Sequence, residues 1–102
     1  MFQFDEKKRV TVISKHGIDF LDAVEIFGGN VLLLPARSEI EARQKAIAPL
    51  GPKMICVVFT LRDDKIRIIT ARVARKNERE KYQELYPRTD QGDEEPDGLG
   101  AT

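Results

Sequence analysis

The run from Arg67 to Tyr82, R-I-I-T-A-R-V-A-R-K-N-E-R-E-K-Y, holds the residues best suited to chemistry. It opens as a β-branched strand carrying two arginines and closes as a basic helix with Glu78 in line with Tyr82. Strand arginines facing a carboxylate suit a phosphodiester better than a small apolar ligand, because a guanidinium fork matches phosphate oxygens. Side chains alternate faces along a strand. Arg67 and Arg72, five residues apart, therefore share a site only if the ladder ends or bulges before Arg72. On the helix, Ala74, Glu78, Tyr82 and Leu85 fall on one face. Ala74 and Leu85 seek the core, so Glu78 is drawn toward the sheet, where an unpaired carboxylate is costly. Arg67 or Arg72 is the expected partner. One reading is an ion pair that locks helix to strand. The other is an arginine oriented by the glutamate to hold a phosphate. Arg75, Lys76, Arg79 and Lys81 add a basic face. Such a face alone is commonly just solvated, but beside strand arginines it suits RNA.

A second cluster ends the first predicted helix. Lys8, Val12 and Lys15 stack at i, i+4 and i+7, and His16, the one histidine, follows. His16 before Gly17 reads either as a residue complementing the helix C-terminus or as a proton-transfer group. One histidine and one cysteine among scattered carboxylates give no metal-ligand spacing. No Gly-rich phosphate loop is present, and Ser14 and Ser38 do not support a Ser-His-Asp arrangement. Neither metal nor small-molecule cofactor is expected. Cys56 lies in M-I-C-V-V-F, whereas a reactive thiol needs electropositive, partly open surroundings. It reads as core.

The elements that must position these groups follow from pattern. Phe2 and Phe4 alternate with polar residues as a short strand. Asp5 caps a helix running to about His16, with Gly17 as its stop. Asp19 caps a second helix with Phe20, Ala23, Val24 and Phe27 as its buried stripe, ended by Gly28-Gly29-Asn30. Val31 to Leu34 is a strand stopped by Pro35. From Ser38 to Leu50 the signals conflict: Ser38 with Glu41 is a capping-box pattern, and Ala42 to Ala48 is helical in composition. Met54 to Leu61 is apolar on both faces and so central in a sheet. Asp63-Asp64 turns the chain into an antiparallel partner from Ile66 to about Val73. Arg75 to Tyr86 is the last helix, stopped by Pro87. These elements predict an α+β class: a small, mainly antiparallel sheet with two N-terminal helices and one C-terminal helix packed on it.

At 102 residues the chain is expected to form one domain, residues 1–87, followed by a disordered acidic tail, residues 88–102. The net charge of zero hides an asymmetry. All seventeen cations fall within residues 1–88 against twelve carboxylates, leaving +5, and residues 89–102 carry −5. A basic body suits a polyanion such as RNA. The acidic tail either shadows that surface or simply solvates the chain. No apolar stretch approaches the roughly 20 residues that cross a bilayer, and the first nine residues lack a signal-peptide pattern. With a lone cysteine, the expected compartment is the cytoplasm, with no membrane partner.

Several segments together resemble the BrnT family of type II toxin–antitoxin toxins, over about residues 2–86. Phe4-Asp5-Glu6 with Lys8 is similar to that family's W-D-x-x-K. Lys15-His16-Gly17 with Phe20 and Ala23 is similar to its K-H-G-V-x-F-x-x-A. Val58-Phe59-Thr60 resembles its V-Y-T. Arg67 through Ala74, then Glu78 and Tyr82, resembles its R-I-I-S-A-R-x-A-x-x-x-E-x-x-x-Y. This chain departs from the pattern with Phe4 for Trp, Val12 for Asn, no Gly near Ile40 ahead of Arg43, and Ala48 for a strand-ending Gly. The resemblance implies a RelE-like fold with a strand from about Glu41 to Ala48. It also implies a cytoplasmic toxin that cleaves RNA without metal and a BrnA-like antitoxin that blocks it. On that basis Arg67, Arg72, Glu78 and His16 are the expected catalytic residues. Lys8, Lys15, Arg75, Arg79 and Tyr82 are the expected RNA contacts. The second expectation is a catalytically weak or inactive binding module that engages an antitoxin or nucleic acid.

Overall fold

The Phe2/Phe4 alternation does form a strand, β1 (Phe2–Phe4), which leads directly into α1 (Glu6–His16). The computed structural model describes residues 1–37 and 42–87. The α1 boundaries follow from cap chemistry. The Asp5 carboxylate accepts from the Lys7 N–H at 2.8 Å, and Gly17 at φ 66° ends the helix in the left-handed region that glycine adopts without a Cβ clash. Asp19 caps α2 (Phe20–Ala23) by accepting from the Leu21 N–H at 2.9 Å. Arg9 grips both Asp19 oxygens, at 2.7 and 2.9 Å, and reaches Glu6 at 2.7 Å, so α1 is clamped to the start of α2. That clamp, with the Leu21 N–H, holds the Asp19 carboxyl below its usual range.

After Ala23 the chain tightens into a 3₁₀ turn, Val24–Gly28. This corrects the predicted stripe. With three residues per turn, the inward positions become Phe20, Ala23 and Ile26, all buried, while Val24 and Phe27 are only partly covered.

Among the described residues, four longer strands and one helix follow: β2 (Leu32–Ala36), β3 (Arg43–Leu50), β4 (Lys53–Arg62), β5 (Lys65–Val73) and α3 (Lys76–Leu85). The sheet order is β1-β5-β4-β3-β2, with only β1 and β5 parallel. The class is α+β as expected, and β4 is central, as its two apolar faces required. Asp63 and Asp64 both have positive φ, 49° and 65°, and make the tight turn between β4 and β5. The segment 43–50 is a strand despite its helical composition, because pairing with β4 along its length outweighs weak local preference. Pro35 does not stop β2, which continues to Ala36. An edge strand has one unpaired side where a missing N–H costs nothing. Ser38, Ile40 and Glu41 lie outside the described residues, as does the predicted tail from Arg88.

The two sheet faces are covered differently. Register places Ile55, Val57, Phe59, Ile68 and Ala71 on one face with Phe2 and Phe4. The N-terminal helices cover that face: Phe4 meets Phe20 edge-on at 5.6 Å, Phe27 meets Phe59 at 5.2 Å, and Val12 is the buried residue of α1. The opposite face receives α3. There the Tyr82 hydroxyl donates to the Asn30 carbonyl at 3.2 Å and the Tyr86 hydroxyl to the Val31 carbonyl at 3.1 Å, pinning the helix to the approach to β2. Leu85, predicted to face the core, is 54% exposed. The helix ends there, and Tyr86 takes the inward place instead. No helix among the described residues is long and apolar enough to cross a membrane.

Candidate active site

An irregularity in β5 assembles the site. Val58 pairs with Thr70, but the next residue, Phe59, pairs with Ile68, so Ile69 is an extra residue in the ladder. A bulge of this kind resets side-chain alternation. Arg67 opposite Thr60 and Arg72 opposite Cys56 consequently point to the same face, since Cys56 and Thr60 are four apart on β4. Arg67 sits about 13 Å along the strand from Arg72, by the usual rise per residue.

The register maps this face row by row. Arg62 lies across from Lys65. Arg43 of β3, one residue beyond the Gln44–Phe59 pair, follows beside Thr60 and Arg67, and Thr60 donates to the Ala42 carbonyl at 2.6 Å. The next row is Lys45, Val58 and Thr70, and the last is Ile47, Cys56 and Arg72. Six cations from three strands thus share one side of the sheet, and α3 lies across the end that carries Arg72.

Glu78 is the centre of the arrangement. Its side chain is 1% exposed. Arg72 binds it with both terminal nitrogens, Nη1 to Oε1 at 2.8 Å and Nη2 to Oε2 at 2.9 Å. Lys45 Nζ reaches Oε2 at 2.9 Å, and the Arg75 backbone N–H donates to Oε1 at 2.8 Å. The last bond also caps α3, since Glu78 stands three residues beyond Arg75. Arg72 above all, then the Arg75 amide and Lys45, holds the carboxyl far below the ordinary glutamate value of 4.5 against the opposing effect of burial. An acid so stabilised as the anion is a poor proton acceptor. What the cluster offers is fixed positive charge: two cations, one anion, and cation side chains that keep about a fifth of their surface open.

The predicted residues separate clearly. Arg72 and Glu78 meet as expected, and Arg72 rather than Arg67 is the partner. Arg67 joins their face farther up the strand. Arg75 contributes its backbone to Glu78, and its side chain is exposed. Arg79 turns to the other side of α3, where its guanidinium donates to the Ala74 carbonyl at 2.7 Å and it borders a cleft with Pro49, Gly51, Lys53 and Met54. Tyr82 is buried, with its hydroxyl engaged and its ring against Tyr86 at 5.0 Å, so it offers no open face for base stacking. Lys8, Lys15 and His16 are exposed on α1, and none of them is among the hydrogen-bond or ion-pair partners of Glu78. Cys56 lies beneath Arg72, fully buried, and burial pushes its thiol up to about 11, so it stays neutral.

Lys45 is the participant that the sequence reading missed. The conflict between helix and strand over residues 38–50 concealed it. Read as a strand, Arg43 and Lys45 at i and i+2 fall on one face, which was the available signal.

Residues 4–78 match the family described as "Ribonuclease toxin, BrnT, of type II toxin-antitoxin system". The crystal structure of the Brucella abortus ribonuclease toxin BrnT is similar with a TM-score of 0.61 and 32% identity, over 74% of this chain and 99% of that one. Comparison with curated proteins gave no match.

Proposed function

The chain belongs to the BrnT family of type II toxin–antitoxin ribonuclease toxins, and from that premise we propose that it is a metal-independent endoribonuclease acting in the cytoplasm through the basic sheet face around Arg72. The observation that carries this reading is Glu78 holding Arg72 in a fixed, two-point geometry on a sheet face that it shares with Lys45 and Arg67.

In the proposed reaction an RNA 2′-hydroxyl attacks the adjacent phosphorus and the bond to the 5′-oxygen breaks. The products are a 2′,3′-cyclic phosphate and a 5′-hydroxyl. The attacking hydroxyl loses its proton to water, and the departing oxygen gains one from solvent. Arg72 stabilises the negative charge that grows on the phosphoryl oxygens, which is most effective when the donor is pre-positioned. Glu78 is the positioning residue for Arg72 and not the base. Arg67 and Arg43 bind the neighbouring backbone, where each phosphate contact adds affinity that salt weakens. Lys8, Lys15 and His16 make no bond to Glu78, and the proposed reaction assigns them no step. A BrnA-like antitoxin that covers the basic face would silence the activity, and release of the toxin would arrest growth through loss of RNA.

Purified protein tests the reading in EDTA buffer, with total RNA as substrate and Arg72→Lys as the control. Wild type should cleave. Arg72→Lys keeps the charge but not the fork, and should lose about 100-fold in rate, the scale of removing one transition-state donor. Wild type that leaves RNA intact while folded would favour the alternative, a binding module without catalysis.

A further inference from the structure

We propose that Lys45 is a second phosphate ligand of this site, its ammonium and the Arg72 guanidinium gripping oxygens of one RNA phosphodiester from the two sides of Glu78. The inference rests on the ribonuclease reading above and adds a residue to it.

Arg72 alone occupies both oxygens of Glu78, and the Arg75 N–H adds a third donor. A structural lock between α3 and the sheet is complete at that point. Lys45 is a fourth donor on a carboxylate already neutralised by a bidentate partner. Placing a second cation there leaves the cluster with a net charge of +1, which a further anion would balance. Donors remain for that anion. A lysine ammonium has three N–H groups, and Glu78 takes one of them.

Exposure points the same way. Glu78 is 1% exposed, whereas Arg72 and Lys45 are 20% and 22% exposed, so the anion lies beneath and both cations border solvent. The floor continues from Lys45 across Val58 to Thr70, and then up to Thr60 and Arg67. An RNA backbone entering along Arg67 and Arg43 therefore meets Lys45 and Arg72 together. Glu78 holds the flexible lysine in place beforehand, reducing the ordering cost of binding.

The test uses a 2′-O-methyl RNA oligonucleotide, which binds but cannot be cut, with affinity measured between about 50 and 200 mM salt. Cleavage of the unmodified RNA and thermal melting are followed in parallel. Wild type, Lys45→Met and Lys45→Arg are compared. Losing one phosphate contact should weaken binding roughly five-fold at about 0.1 M salt and reduce the log–log salt slope by about 0.7. Lys45→Arg should restore both. Melting should hold in Lys45→Met, because Arg72 and the Arg75 N–H still satisfy Glu78. Unchanged affinity and slope in Lys45→Met, with wild type binding and cutting RNA, would overturn the Lys45 assignment and leave the ribonuclease reading intact. A Lys45→Met protein that no longer folds would also overturn it, making Lys45 part of the lock. Wild type that neither binds nor cuts RNA would overturn both.

Discussion

At the scale of single residues, Glu78 illustrates how one carboxylate can be both structural and functional. Its four donors cap α3, join helix to sheet and aim Arg72 at the open face. Linkage gives this a pH signature. A carboxyl whose folded pKa is depressed contributes stability above the unfolded pKa and loses it as pH falls toward the folded value. For Glu78 the loss begins as pH drops below about 4.5 and extends well into acid. Glu78→Gln leaves two cations without their anion, and should cost about 3 kcal/mol near neutrality. Urea unfolding across the acid range checks this: the gap between wild type and variant should shrink steadily below about pH 4.5. A gap that stays constant would mean that the ionised carboxylate contributes nothing specific.

At the scale of elements, the bulge at Ile69 and the buried position of Val12 decide most. The bulge turns a five-residue spacing, which a regular strand would split between faces, into a shared surface. Val12 stands where the family pattern resembled by this chain has Asn, between two lysines. In the fold Val12 is 4% exposed, inside the core beneath α1, while Lys8 and Lys15 flank it in solvent. Val12→Asn would bury an amide among apolar side chains. The expected cost is about 1–3 kcal/mol, read as a lower urea midpoint, with no gain in RNA cleavage. A variant that cut RNA faster at undiminished stability would show that α1 takes part in the reaction.

At the scale of the whole molecule, charge is segregated along the chain. Residues 1–88 carry +5 and residues 89–102 carry −5. We propose that the acidic segment competes with RNA for the basic sheet face. Removing residues 89–102 should tighten RNA binding at low salt, and the gain should fade as the Debye length shrinks to roughly 8 Å near 0.15 M. Anisotropy titrations on both forms decide the matter, because equal affinities at low salt would leave the segment no such role.

Much of this was legible without the fold. The caps at Asp5 and Asp19, the stop at Gly17, the central strand through Val57, the Asp63-Asp64 turn and the pairing of Glu78 with a strand arginine all depend on near neighbours or on patterns of period two or four. Short-range chemistry of that sort is written in consecutive residues. Strand 43–50 had to come from the family resemblance, since its pairing with β4 is a long-range contact that local composition opposed. The choice of Arg72 over Arg67, the return of both to one face and the arrival of Lys45 from β3 were decided only by tertiary structure. Each depends on which strands lie side by side and on one unpaired residue in their ladder, and spacing along the chain does not encode either.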